Sequence, residues 1–174
     1  ADSPVVVATS CMAKNASIIV AVNMCQFAAG GSPSDDKYYN TELVVSESGA
    51  VLAVYRKSHV WYTKCFDEPA TPDLVTFNAS FGVEFGLFTC YDILFSTPGP
   101  ALQKQGVRHF ITSAAIPIVG STADKFWSWK YGSALIASDL QMGQSGVFVK
   151  GSMLTSKMPS SGDAVKLASV PKSM

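Results

Sequence analysis

The hydrophobic positions of this chain fall in short runs and alternations more often than at helical spacing, so strands dominate the reading. After a polar start, residues 17–22 (SIIVAV) form a run rich in β-branched side chains. That is the pattern of a strand covered on both faces, and a central strand is expected there. Residues 26–37 contain Gly30, Gly31, Ser32, Pro33, Ser34, Asp35 and Asp36, a cluster of turn formers that predicts an exposed loop. Residues 39–46 and 50–56 then flank Glu47, Ser48 and Gly49. A glycine at that point supplies the positive φ of a hairpin turn.

From 57 to 72 the chain is irregular, and Pro69 and Pro72 exclude helix there. Connections of this length usually carry function. Strand character resumes at 74–77, and residues 84–89 (EFGLFT) read as a strand running straight into Cys90, Tyr91 and Asp92. A cysteine at a strand end is well placed for exposure in a pocket. Residues 100–105, stopped by Gly106, predict a short helix, and 107–112 the next strand. Phe126, Trp127, Tyr131 and Leu135 recur at helical spacing and predict a second helix over 123–137, with one more strand at 146–149. The class is α/β with mixed strands. Residues 1–150 are expected to form one domain, and 151–174, rich in Ser, Lys and Pro, a mobile tail or edge segment.

Composition narrows the choice of function. A chain of 174 residues has room for one domain with a sizeable core. With 48% hydrophobic and 15% charged residues it is too apolar for a disordered chain, and its small charged surface suggests that some apolar surface faces a partner. Thirteen basic residues balance thirteen acidic ones, and no basic stripe exists to neutralise phosphates, so no nucleic-acid partner is expected. No apolar run is long enough to span a bilayer, and the start at Ala1 lacks the regions of a signal peptide. Cys11, Cys25, Cys65 and Cys90 are too widely spaced for a Cys-x-x-Cys zinc or redox motif, so no metal is expected.

A Gly-x-Ser-x-Gly elbow, a dinucleotide fingerprint and a phosphate loop are all missing. His59 and His109 read as ordinary, partly buried histidines. What remains is Cys90, a nucleophile if a cation or base lies beside it and otherwise a buried structural thiol.

Residues 88–95 (FTCYDILF), together with 74–82 (LVTFNASFG) and 55–57 (YRK), resemble the carbon-nitrogen hydrolases of the nitrilase superfamily, most of all its biotinidase and vanin (pantetheinase) branch. Supporting stretches are 10–19, 39–44 and 145–148, and the similarity runs from about residue 4 to 151. The resemblance implies part of a stacked α-β-β-α sandwich and a Cys, Lys, Glu catalytic set with no cofactor. Carried over, Cys90 is the nucleophile that forms a thioester with a linear amide substrate. Lys57 is the cation, the backbone N–H of Tyr91 an oxyanion donor, and Asp92 a structural support behind the nucleophile.

In that family the general-base glutamate lies in an N-terminal segment ahead of the first matching residues, so the chain is expected to be N-terminally incomplete, a fragment or subunit. Of its four glutamates, Glu42 and Glu47 are assigned to the hairpin and Glu68 to the loop. Glu84 shares strand parity with Cys90 about 20 Å away, too far for proton transfer. Two stretches depart from the family pattern: 61–65 lacks its further glutamate, and 114–119 its tryptophan.

The expected activity is amide hydrolysis of biotinidase or pantetheinase type. The alternative is a non-catalytic, nitrilase-like structural or interaction subunit of a larger assembly, with a protein partner or the missing segment completing the fold. A secreted or extracellular location is expected, with glycosylation at Asn15 and Asn78, each in an Asn-x-Ser triplet. Cys25 and Cys65, both assigned to loops, are either free thiols or a disulfide pair.

Overall fold

Pro4 opens a 13-residue helix, α1 (Pro4–Ala16), where its fixed φ suits the first turn and its missing N–H leaves no bond unmade. The structure, a computed structural model, describes residues 3–61, 65–116, 120–140, 144–155 and 165–174. Helix α1 stops at Ser17, which turns left-handed at φ 54° and donates its N–H to the carbonyls of Ala13 and Lys14. Ala13 packs against Leu43 and Val45 with Val6 and Val20 alongside, so the polar start proves to be a helix with one buried face.

Three antiparallel strands follow, β1 (Val20–Ala28), β2 (Lys37–Val45) and β3 (Val51–Arg56), in that spatial order. The hairpin between β2 and β3 turns through Gly49 at φ 86°, as its sequence predicts. The central strand expected at 17–22 is corrected. Residues 17–19 form the exit from α1, and the strand runs from Val20 to Ala28 with β2 as its neighbour on one side only among the described residues. Its apolar run reflects packing against α1 as well as against the second sheet, and Ile18 is exposed.

The second sheet holds β4 (Thr76–Asn78), β5 (Glu84–Thr89), β6 (His109–Ala114), β7 (Ala134–Asp139), β8 (Gly146–Val149) and β9 (Ser152–Met153) in spatial order, parallel across β5, β6 and β7 and antiparallel elsewhere. Its parallel pairs are joined through α2 (Gly99–Lys104) and α3 (Gly120–Lys130). The helix expected to reach 137 ends at Lys130, because Gly132 takes φ 58° and the following residues pair with β6. Leu135 kept helical spacing because it packs into the same core as Trp127. Lys166 donates from Nζ to the Ser145 carbonyl, and His109 Nε2 bonds the Pro171 carbonyl at 2.7 Å. Part of the stretch beyond 151 lies outside the described residues.

These elements stack as α1, first sheet, second sheet, then α2 with α3. Val44, Tyr55, Phe85 and Leu87 fill the space between the sheets, while Phe88, Phe110, Trp127 and Phe148 fill the space under α2 and α3. Leu87 and Phe88 are neighbours in sequence and belong to different cores because strand side chains alternate between faces. Thr89, Ser113 and Ser138 stand in register at the C-terminal ends of β5, β6 and β7. That edge is where sheets of this kind receive ligands.

Candidate active site

Cys90 is the first residue past β5 and opens a single turn of 3-10 helix, Cys90–Leu94. Its φ is +52°, in the left-handed region that non-glycine residues rarely occupy and that costs about 1–3 kcal/mol. Its N–H points to Thr112 Oγ1 at 3.4 Å. The strain is offset two residues on. Asp92, fully buried, accepts from the Thr89 N–H at 2.9 Å, the Tyr55 hydroxyl at 2.6 Å, and both the backbone N–H and Nδ1 of His59 at 2.9 Å. One carboxylate thus ties the nucleophile turn to β3 and to the loop after it. His59 is held flat against Phe95, with ring centroids 3.8 Å apart. Burial, followed by the Asp92 charge, pushes the Tyr55 phenol up, so it stays a donor.

Lys57 follows β3 and is 4% exposed. Its ammonium donates to the carbonyl of Thr89, the residue before Cys90. Burial pulls the Lys57 pKa below the usual lysine range, and the charges of Asp92, Cys90 and Glu68 oppose that pull. A cation beside a thiol favours the thiolate, the form that attacks carbonyl carbon.

Cys90 and Lys57 share a cavity of about 1080 Å³. Asn23, Asn40 and Ser113 give it a polar wall, and Trp61, Tyr91 and Leu94 an apolar one. Trp61 meets Tyr91 edge to face at 4.6 Å. A substrate with a polar, amide-bearing part and an apolar part fits such a lining.

Of the other residues singled out from the sequence, only Glu68 lies close enough for its charge to act on Lys57. Glu84 is exposed at the far end of β5, Glu47 accepts from Ser80 at 2.6 Å, and Glu68 accepts from the Val60 N–H at 2.7 Å. Asn15 and Asn78 are both exposed. Cys25 lies within β1 instead of a loop, and Cys25 and Cys65 are exposed free thiols, so the structure holds no disulfide between them. Of the two stretches that depart from the family pattern, residues 62–64 and 117–119 lie outside the described residues.

Sequence reasoning gave no role to Tyr55 and His59, the latter read as an ordinary, partly buried histidine, nor to Asn23, Asn40 and Ser113, and it left Glu42 in the hairpin. Continuing the strand alternation of β3 from Tyr55 through Lys57 to His59 would have gathered the first two. Glu42 sits on β2 and is fully buried, accepting from Ser113 Oγ at 2.8 Å and Asn23 Nδ2 at 3.3 Å. Burial raises its pKa against the lowering effect of those two bonds.

A buried lysine and a strand-end cysteine therefore line one cavity. The carbon-nitrogen hydrolase family pattern matches residues 1–139, and the chain belongs to that family. Mouse biotinidase is 31% identical over 151 residues, which is 80% of this chain and 29% of the mouse protein. Human pantetheinase is 40% identical over 110 residues, 59% of this chain and 21% of that protein. The chain therefore spans less than a third of these curated relatives. Among solved structures, Saccharomyces cerevisiae Nit3, a member of branch 10 of the nitrilase superfamily, superposes with a TM-score of 0.77 at 20% identity, covering 92% of this chain and 63% of Nit3. An amidase from Nesterenkonia sp. gives 0.72 at 17% identity, covering 90% of this chain and 62% of that one.

Proposed function

We propose that this chain carries the nucleophile of a linear-amide hydrolase of biotinidase or pantetheinase type. The observation that carries the reading is the shared cavity of Cys90 and Lys57. The Cys90 thiolate, stabilised by the Lys57 ammonium, attacks the amide carbonyl carbon. The oxyanion is received by Lys57 and the Tyr91 N–H, donors of a kind worth roughly 3–4 kcal/mol to a transition state. The C–N bond breaks, the amine leaves with a proton, and water hydrolyses the thioester to the acid. For an unactivated amide, the acid that protonates the departing amine is a glutamate from a segment outside these residues.

A second reading, a structural or interaction subunit, draws support from β1. Phe27, 53% exposed on β1, lies tilted against Tyr38, 47% exposed, with ring centroids 5.2 Å apart, at a sheet edge that no strand covers among the described residues. A protein partner or a further segment covers that edge in this reading. A secreted or extracellular glycoprotein is proposed for either case, resting on the family resemblance and the two exposed asparagines.

The test uses the chain's own cysteines as controls. Treated with p-nitrophenyl acetate at neutral pH, the protein is digested and its acetylated thiols located by mass spectrometry. Cys90 should acylate first, ahead of the three exposed thiols Cys11, Cys25 and Cys65. Equal labelling of all four would remove the basis for a catalytic Cys90.

A further inference from the structure

Two asparagines on the polar wall of the Cys90 cavity use their amide atoms unequally. Asn23 stands opposite Glu42 in the register of β1 and β2, and Asn40 lies two residues from Glu42 on the same face of β2. Asn23 Nδ2 carries two hydrogens. It donates to Asn40 Oδ1 at 2.8 Å and to Glu42 Oε2 at 3.3 Å. Turning the Asn23 amide over would set its oxygen against both of those oxygens, so Glu42 fixes which way it faces. Glu42 is itself fully buried and accepts from Ser113 Oγ at 2.8 Å.

What the pair leaves over is one acceptor, Asn23 Oδ1, and one donor, Asn40 Nδ2, neither with a hydrogen-bond partner among the described residues. Both residues line the cavity, and the strands set them beside the reacting groups. The Lys57 N–H donates to the Asn40 carbonyl at 2.8 Å, and Ser113, which reaches Glu42, stands opposite Thr89, the residue before Cys90. An uncharged acceptor and an uncharged donor presented together match a group that carries its own N–H and carbonyl. A carboxamide or a ureide is such a group.

We propose that Asn23 and Asn40 form a subsite for a second amide or ureide group of the substrate, carried in its acyl part away from the bond that Cys90 attacks. This rests on the reading of Cys90 as nucleophile. The substrate N–H donates to Asn23 Oδ1, and Asn40 Nδ2 donates to the substrate carbonyl. Glu42 touches no substrate and is a positioning residue, holding the Asn23 oxygen free for the N–H. The acyl part belongs on this wall because the amine departs first and needs an open path. Trp61 and Leu94 on the apolar wall are 59% and 70% exposed, whereas the asparagine pair backs onto the fully buried Glu42. An acyl chain without the second amide leaves the two asparagine atoms unpaired, and that loss is the source of selectivity.

The experiment measures acylation of the full chain by p-nitrophenyl esters, whose shared, activated leaving group isolates the acyl part. Three acyl chains of equal length are compared: N-acetyl-β-alanyl, which carries an amide, 5-oxohexanoyl, which keeps only its carbonyl, and hexanoyl, which has neither. Subtracting the rate of Cys90→Ala leaves the Cys90-dependent part. At subsaturating ester the parent should react about tenfold to a hundredfold faster with the amide ester than with the hexanoyl ester, with the ketone between. Asn23→Leu should abolish the advantage of amide over ketone. Asn40→Asp, which keeps the shape and turns the donor into an acceptor, should abolish the advantage of both over hexanoyl. Glu42→Gln, which frees the Asn23 amide to turn, should lower the amide-to-ketone ratio severalfold. Each ratio is taken within one protein, so a change in overall activity does not disturb it. Equal rates for the three esters in the parent overturn the subsite and leave Cys90 standing as nucleophile. An amide advantage that survives both asparagine variants does the same. No difference between the parent and Cys90→Ala with any ester overturns the nucleophile and the subsite together.

Discussion

Replacing Asp92 should damage both the fold and the nucleophile, and two variants separate the effects. Asp92→Ala removes the acceptor of the Thr89 N–H, the His59 N–H, His59 Nδ1 and the Tyr55 hydroxyl. Tyr55 retains Ser58, at 3.1 Å, and the exposed edge of His59 can find water. Two backbone N–H groups remain without a partner, at about 1–3 kcal/mol each, and the released left-handed turn at Cys90 loses its anchor. The expected loss is about 3–6 kcal/mol, a large part of the roughly 5–15 kcal/mol that holds a domain together. Asp92→Asn keeps the shape but sets an amide N–H against a donor and removes the charge that opposes the desolvation of Lys57. Its loss should be about 1–3 kcal/mol, with slower Cys90 alkylation because the neighbouring cation is weakened. Urea unfolding read by tryptophan fluorescence gives the first quantity and iodoacetamide kinetics the second. A midpoint for Asp92→Asn equal to that of the parent, with Cys90 alkylated just as fast, would refute the view that this carboxylate anchors the turn.

Two further outcomes follow from buried charge. Lys57→Met should lower stability by about 1–3 kcal/mol, since it takes the donor from the buried Thr89 carbonyl and the nearby cation from Asp92, while Cys90 alkylation at neutral pH falls about tenfold or more; an unchanged alkylation rate would separate Lys57 from the thiol. The Asp124 carboxyl is pushed up to about 8, first by burial and then by the charge of Asp139. A raised acid pKa means the folded state holds the extra proton, so its stabilising contribution is complete below the ordinary carboxyl range and is lost as pH rises through about 8. Parent stability should therefore drop by a few kcal/mol between about pH 5 and pH 8, at up to about 1.4 kcal/mol per pH unit, and Asp124→Asn should flatten that drop in urea titrations; equal slopes in both proteins would contradict it.

What could be read from the sequence is what neighbouring residues decide. Gly49 sets the β2–β3 hairpin by its own φ, and the apolar run of β5 points to Cys90 because the chain between them is continuous. The helix α1 was hidden because its first turns carry Val5, Val6 and Val7, residues with weak helix propensity, and the packing of Ala13 on Leu43 and Val45 supports it from outside the segment. The edge position of β1 was hidden for a related reason, since β-branched residues report a pleated, covered surface and say nothing of how many strands lie beside it.

Glu42 shows where local reading ends. Along the chain it is the sixth residue of a strand that leads into a hairpin, and its neighbours Thr41 and Leu43 mark only which face it takes. Its place between the sheets depends on two registers at once. Asn23 stands opposite it within the first sheet, and Ser113 on β6 reaches it from the second, 71 residues further along the chain. A shift of one residue in either strand would turn one partner to the opposite face and leave a buried carboxylate with a single donor, a costly arrangement. The Ser113 bond therefore couples the register of the first sheet to that of the second at the level of Thr89. Any change that slides β1 or β6 by one residue should be felt at Cys90 before it is felt in the outer cores.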